Sequence, residues 1–195
     1  MPFRQRASSR PVTSRRSPAT RQTAERRTVG HSRTITSDLV LFSDLNNYGS
    51  IFGGRLVSII DKTAAISARK HAGGAVMTVA IDSLVFERPA GNGSIITVLA
   101  SVNRVFRTSM EVGALVTALE PDKSEEKRIC RAYLTFVALD TEGHPTQPPL
   151  VVPETKADRR RFEHAAIRRQ HRLVLRDTLA QHQLRSTPSA SANGP

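Results

Sequence analysis

Residues 46–72 read Asn46-Asn-Tyr-Gly-Ser-Ile-Phe-Gly-Gly-Arg-Leu-Val-Ser-Ile-Ile-Asp-Lys-Thr-Ala-Ala-Ile-Ser-Ala-Arg-Lys-His-Ala72. A turn-prone loop, Asn46 to Gly49, leads into the pair Gly53-Gly54, where a helix is expected to begin. No proline follows until Pro89, and Gly73-Gly74 supplies the stop. About eighteen residues at 1.5 Å each make a rod of roughly 27 Å. Leu56, Val57, Ile59, Ile60, Ala64, Ala65, Ile66 and Ala68 leave this rod little polar face. A helix apolar on most sides must be covered on most sides. One carboxylate, Asp61, sits in its middle. Either it lies along a wet rim beside Lys62, or it is paired or put to use, because an unpaired buried carboxylate is costly.

At 195 residues with 38% apolar side chains, one domain with tails is expected. No run of eighteen apolar residues offers a membrane span, and no apolar segment near the N-terminus suggests secretion. The single cysteine, Cys130, excludes an internal disulfide and reads as a small core residue.

The net charge of +12 points toward polyanions, so its location matters. Residues 1–36 hold nine Arg and one Glu, and residues 154–195 hold nine Lys/Arg and four Asp/Glu, which leaves residues 37–153 at −1. A nucleic-acid-binding domain is expected to carry its positive patch on the folded part. Here the charge belongs to the ends.

Residues 1–33, rich in Arg, Ser, Thr and Pro, read as a disordered, solvated tail, with an organellar transit peptide as the other reading. Residues 34–42 resemble a first strand. After the helix, four strand-like runs follow: Val76 to Arg88, Ser94 to Phe106, Thr108 to Glu120 and Arg128 to Asp140. Their breaks are Pro89 to Gly93, a very short one at Arg107, and the charged loop Pro121 to Lys127. Connections this short predict antiparallel neighbours in a meander. Residues 154–185 predict a basic helix, solvated or docked on a neighbouring subunit, and residues 186–195 a second disordered tail.

One apolar helix and one twisted antiparallel sheet satisfy each other if the sheet curls round the helix. That α+β layout is the hotdog fold, here assigned to residues 34–153. Its open edge invites a second copy, and Val76 to Arg88, apolar on both faces over much of its length, is the expected dimer edge.

An ordered set of motifs carries a resemblance. Ser43-Asp-Leu-Asn46, Gly49-Ser-Ile-Phe-Gly-Gly54, Asp61, Lys70-His-Ala72, Val79-Ala-Ile-Asp-Ser83, Phe86 with Pro89, Arg107-Thr-Ser-Met110, Leu134 to Asp140, Gly143 and Val152-Pro-Glu-Thr155 occur in sequence. Over roughly residues 33–175 the chain resembles the cytosolic acyl-CoA thioesterases of the hotdog superfamily, the type of brain acyl-CoA hydrolase and its single-domain bacterial relatives. The resemblance implies hydrolysis of fatty acyl-CoA to fatty acid and coenzyme A, in the cytoplasm or, with a transit peptide, an organellar matrix. It implies no metal and no cofactor, coenzyme A being part of the substrate. It implies a homodimer, assembled into a trimer of dimers, and makes nucleic acid an unexpected partner.

By the same resemblance Asp61 is the catalytic carboxylate, as general base or as nucleophile through a transient anhydride. Asn46 of the other subunit orients water or the carbonyl. Backbone N–H groups of Gly53 and Gly54, at the positive end of the helix, hold the oxyanion. Arg107, Thr108 and Ser109 lie against coenzyme A. His71, near the helix end, reads as a cap for its last carbonyls rather than a catalyst. Gly-x-Ser-x-Gly is absent, which removes a serine-hydrolase reading. Phe42-Ser43 replaces the family's usual proline before the Asp-x-Asn turn, and Phe106 stands where the family usually has glycine, a ring expected to alter the coenzyme A path or shorten the acyl pocket. The alternative is a non-catalytic acyl-CoA-binding hotdog module whose basic tails contact nucleic acid; a pure binder needs neither Asn46 nor Asp61.

Overall fold

The helix expected after Gly53 forms over Gly53–Ala72, and Gly73 ends it with φ of 74°, where a side chain would be strained. The computed structural model describes residues 25–186. The tails expected within 1–24 and 187–195 lie outside the described residues. In chain order the elements are β1 (Arg26–Thr28), α1 (Val29–Ser32), β2 (Thr34–Leu39), α2 (Gly53–Ala72), β3 (Ala75–Phe86), β4 (Ile95–Val105), β5 (Ser109–Leu119), β6 (Lys127–Leu139), β7 (Leu150–Val152) and α3 (Lys156–Ser186).

Five strands form one antiparallel sheet in the order β2-β4-β5-β6-β3. Laid flat it would be about 19 Å wide at 4.8 Å per strand. A helix about 10 Å across could not reach both edges of such a sheet. Yet α2 touches all five strands, so the sheet curls round it. Alternation places Val98, Val112, Leu134 and Phe136 inward, all without exposure, against Leu56, Ile60, Ala64 and Ala68 of α2. Each such large side chain contributes about 1.5–3 kcal/mol by leaving water. Cys130 joins this core, and burial pushes its thiol up to about 11.

Three expectations are corrected. The strands after the helix do not form one meander: β4, β5 and β6 do, but β3 pairs with β6 rather than β4. The connection 87–94 crosses from one side of the sheet to the other. Eight residues reach about 26 Å, ample for three strand spacings of about 14 Å, so a short link does not force neighbours. Second, order begins before residue 34. β1 pairs in parallel with β7, and the Arg27 guanidinium donates to the carbonyls of Lys70 and His71 at 3.0 and 2.9 Å. That arginine, not His71, satisfies the end of α2. His71 is buried and bonds through Nε2 to the Pro149 carbonyl at 2.9 Å. Third, within one chain α2 is covered on one face only. Ile66 is half exposed, and Phe52 before the helix is more exposed still.

The basic helix α3 docks on its own chain's sheet. Glu111, 2% exposed, receives two hydrogen bonds from Arg168 at 2.7 and 2.9 Å, and the guanidinium lies 3.6 Å from the Tyr133 ring centre. One turn on, Arg172 bonds Asp82 and the Thr135 hydroxyl. Arg104 donates to the Phe162 carbonyl and stacks on its ring.

Candidate active site

The loop before α2 is built by two side chains. Asp44 accepts the Leu41 N–H at 3.0 Å and Arg55 Nε at 2.9 Å, and its carbonyl accepts the Phe52 N–H at 2.7 Å. Arg55 also reaches Asp38 on β2 at 3.1 Å, so one guanidinium ties strand, loop and helix start together. Asn46 closes the turn that follows: its Oδ1 accepts the N–H of Tyr48 at 2.9 Å and of Ser50 at 3.3 Å, and its Nδ2 donates to Ser50 Oγ at 3.1 Å. One amide N–H of Asn46 remains for a carbonyl oxygen or a water.

Among the described residues no side chain caps the N-terminus of α2. The first amides of a helix have no partners within it, and they carry its positive end. A Cβ at position 54 would stand 2.6 Å from Phe52 Cε1, so glycine here lets the Phe52 ring lie against the first turn. Gly53 and Gly54 thus present N–H groups suited to an oxyanion.

Asp61 is half-buried, on the flank of α2 beside its buried stripe. Its Oδ1 accepts a hydrogen bond from Thr78 Oγ1 at 2.9 Å. Thr78 was not singled out from the sequence. It lies on β3, and a bulge between Thr78 and Ala80 sets its direction. In a regular strand Thr78 and Asp82 would share a face. With the bulge between them, Thr78 meets α2 inside the sheet while Asp82 meets α3 outside it.

Within one chain Asn46 and Asp61 do not hydrogen-bond each other: Asn46 bonds its own loop, and Asp61 bonds β3. Gly54 and Asp61 lie seven residues apart on one helix, about 10 Å along its axis. A single carbonyl cannot be within hydrogen-bond reach of both. One chain therefore presents two half-sites: an amide-rich one at the helix start and a carboxylate one at its middle.

Arg107, Thr108 and Ser109 form the tight turn between β4 and β5, closed by the Phe106 N–H on the Ser109 carbonyl at 2.7 Å. Arg107 is exposed and makes no ion pair among the described residues. The Phe106 ring is covered by Arg169 of α3, whose guanidinium carbon lies 4.5 Å from the ring centre, and by Arg104 at 5.9 Å. It fastens α3 beside the turn. Burial pushes the His71 imidazole below its ordinary value. With Nε2–H donated to Pro149, Nδ1 is buried without a partner, so a second proton would strand an N–H.

Comparison with known proteins bears on what these half-sites do. The model of the thioesterase superfamily matches residues 48–125. An uncharacterized acyl-CoA thioester hydrolase of Bacillus subtilis is 36% identical over 137 residues, 70% of this chain and 80% of that protein. The acyl-CoA hydrolase of Staphylococcus aureus, solved with butyryl coenzyme A, coenzyme A and coenzyme A disulfide, superimposes with a TM-score of 0.76 at 33% identity, over 80% of this chain and 96% of that one. Structures of the same hydrolase with alanine at an aspartate, an asparagine or a threonine match as well. By that protein's numbering the asparagine precedes the aspartate by 15 residues and the threonine follows it by 17. A hexameric acyl-CoA thioesterase superimposes with a TM-score of 0.74 at 38% identity, over 76% of this chain and 95% of that one.

Proposed function

We propose that this chain, which belongs to the thioesterase superfamily, is an acyl-CoA thioester hydrolase whose active site joins Asp61 of one protomer to Asn46, Gly53 and Gly54 of another. The observation that carries this reading is that Asn46 and Asp61 do not meet within one chain: Asn46 bonds its own loop and Asp61 bonds β3. Spacing supports the assignment of residues. Asn46 precedes Asp61 by 15 positions and Thr78 follows it by 17, the separations of the three residues replaced in the Staphylococcus aureus hydrolase.

As a general base, Asp61 takes a proton from water while the hydroxide oxygen adds to the thioester carbon. The charge that develops on the carbonyl oxygen rests on the Gly53 and Gly54 amides and the remaining Asn46 N–H. Collapse breaks the C–S bond, and the coenzyme A thiolate recovers the proton from Asp61. In the alternative route Asp61 attacks the carbon itself, and water then opens the anhydride. A single turnover in H2¹⁸O that leaves ¹⁸O in Asp61 establishes the second route with water adding to Asp61 Cγ, whereas the first route labels the fatty acid and never Asp61. No cofactor is required. The exposed Arg107, with Thr108 and Ser109, suits the phosphates and pantetheine of coenzyme A, and a fatty acyl chain runs along α2 between protomers.

The open edge of β3 supports a homodimer, with three dimers forming a hexamer: Met77, Val79, Ile81, Val85 and Phe86 are all about half exposed there. We place the enzyme in the cytoplasm, by its likeness to cytosolic relatives; an organellar matrix becomes the answer if the mature N-terminus in cells lies beyond the Arg/Ser-rich segment.

Thiol release from short, medium and long acyl-CoAs tests the activity. Complementation tests the shared site. D61A and N46A proteins are each expected to be inactive alone. Refolded together at equal ratio they regain about a quarter of wild-type activity, because half the dimers are mixed and each mixed dimer holds one intact site. No recovery in mixed oligomers of verified composition would place both residues in one chain's site. A binder without activity predicts no thiol release from any member of the panel.

A further inference from the structure

The outer face of the sheet carries a cleft of about 820 Å3 that thioester hydrolysis leaves without a role. Its floor is Leu99, Leu115 and Tyr133 on neighbouring strands. Six arginines line it: Arg160, Arg161 and Arg168 from one face of α3, and Arg33, Arg128 and Arg131 from the sheet side. No carboxylate stands among the lining residues. Arg128, Arg161 and Arg168 are already paired, with Glu87, Asp158 and Glu111. Arg33, Arg131 and Arg160 are exposed and make no ion pair among the described residues.

These three come from distant parts of the chain. Residues 37–153 are close to neutral by composition, and docking of α3 sets Arg160 beside Arg33 and Arg131 of the sheet side. Unpaired like charges around one concave volume repel each other, and low-dielectric walls focus their field. An anion relieves both. The plain alternative is three solvated guanidiniums that share a region by chance. Against it stand the concave shape of the cleft between helix and sheet and the absence of any acid in the lining among the described residues, although Asp and Glu occur on the same elements. Guanidinium forks match phosphate oxygens in pairs, and one carboxylate would balance only one of the three charges. The volume lies in the range of small-molecule sites.

We propose that this cleft binds a small polyphosphorylated ligand, a compact anion with at least two phosphate groups, held by Arg33, Arg131 and Arg160. The phosphates have two possible sources: a free polyphosphate compound, or the phosphorylated end of coenzyme A itself. The site is separate from the carboxylate and amide half-sites, which lie on the opposite side of the sheet.

The test is calorimetric titration of the full chain with sodium tripolyphosphate at 0.15 M salt. One saturable site per chain is expected, with affinity falling steeply as salt rises. Arg131→Gln with Arg160→Gln should weaken binding at least ~10-fold, since each lost phosphate contact is a charge-assisted one. Arg131→Lys with Arg160→Lys should keep most of it. Thermal melts confirm that each variant is folded. No saturable binding, or equal affinity in the Gln variant, overturns the proposal, and so does tighter binding of duplex DNA than of tripolyphosphate. If coenzyme A displaces tripolyphosphate and the Gln variant raises KM for acyl-CoA, the substrate supplies the phosphates. If neither happens, the ligand is a separate compound.

Discussion

On the inner face of the sheet, α2 is held by Leu56, Ile59, Ile60, Ala64 and Ala68, apolar side chains almost wholly removed from water. On the outer face, α3 is held by Arg168 on Glu111 and by Arg172 on Asp82 and Thr135. The same strands serve both helices, since β5 sends Val112 inward and Glu111 outward. Apolar burial has no direction and is not an ion-pair attraction that salt screens, so α2 can leave the side that carries Asp61 open. Ion pairs are directional and must be matched one by one, so α3 is positioned by register and responds to conditions.

The comparison is tested most sharply at Asp61. Asp61→Ala is expected to lower kcat/KM about 10³-fold, as loss of a positioned base does, yet to leave unfolding free energy within about 0.5 kcal/mol. Stopped thiol-release assays and urea melts read the two effects. Large destabilisation would mean that this face of α2 is structural. Ile60→Ala, at the preceding position on the buried face, should do the reverse: about 2–5 kcal/mol of stability lost, with no loss to screening as NaCl rises. On the outer face Arg168→Ala should cost about 2–3 kcal/mol, because the buried Glu111 carboxylate loses both Arg168 hydrogen bonds and keeps only that from Asn103, while Arg168 itself keeps some water. Adding Glu111→Leu to Arg168→Met should recover most of that loss, and failure to recover would mean that packing rather than charge fastens α3.

Smaller effects separate positioning from chemistry. Thr78→Val should reduce kcat about 10-fold, since Asp61 keeps its carboxylate but loses the hydroxyl that aims it. An unchanged kcat in that variant would remove Thr78 from the site. The mildest effect is expected with pH at the far end of α2. Burial depresses His71, so the unfolded chain takes up a proton near 6.5 before the folded one does. Stability is then complete above 6.5 and declines as pH falls through 6.5 toward the folded value. Asp158 lies in a different window. Its burial works against ionisation, but Thr155 and Arg161 hold it below its ordinary 3.8, so its share of stability is lost only in stronger acid. Melting temperatures between pH 8 and 5 should fall for wild type and fall less for His71→Gln.

Much of this was legible in the residues. Gly53-Gly54 and Gly73 bracket the long helix, and alternation in residues 95–139 marks three of the strands. Asp61 stood out as a lone carboxylate in an apolar rod. Thr78 did not, because a threonine in a strand carries no local signal; its hydrogen bond to Asp61 brings it into view. Arg27 was hidden likewise, inside a stretch whose Arg- and Ser-rich composition reads as a tail, although its guanidinium closes the end of α2.

What the sequence determined alone is what depends on near neighbours: helix ends, strand periodicity and the placing of one carboxylate midway along α2. The tertiary structure decided the crossing of β3 to the far edge, the bulge that turns Thr78 and Asp82 to opposite faces, and the gathering of Arg33, Arg131 and Arg160 around one cleft. Those outcomes depend on which distant strands pair and in what register. Backbone hydrogen bonds are alike for every strand, so pairing is selected by the fit of whole faces, and no short stretch of sequence contains that fit.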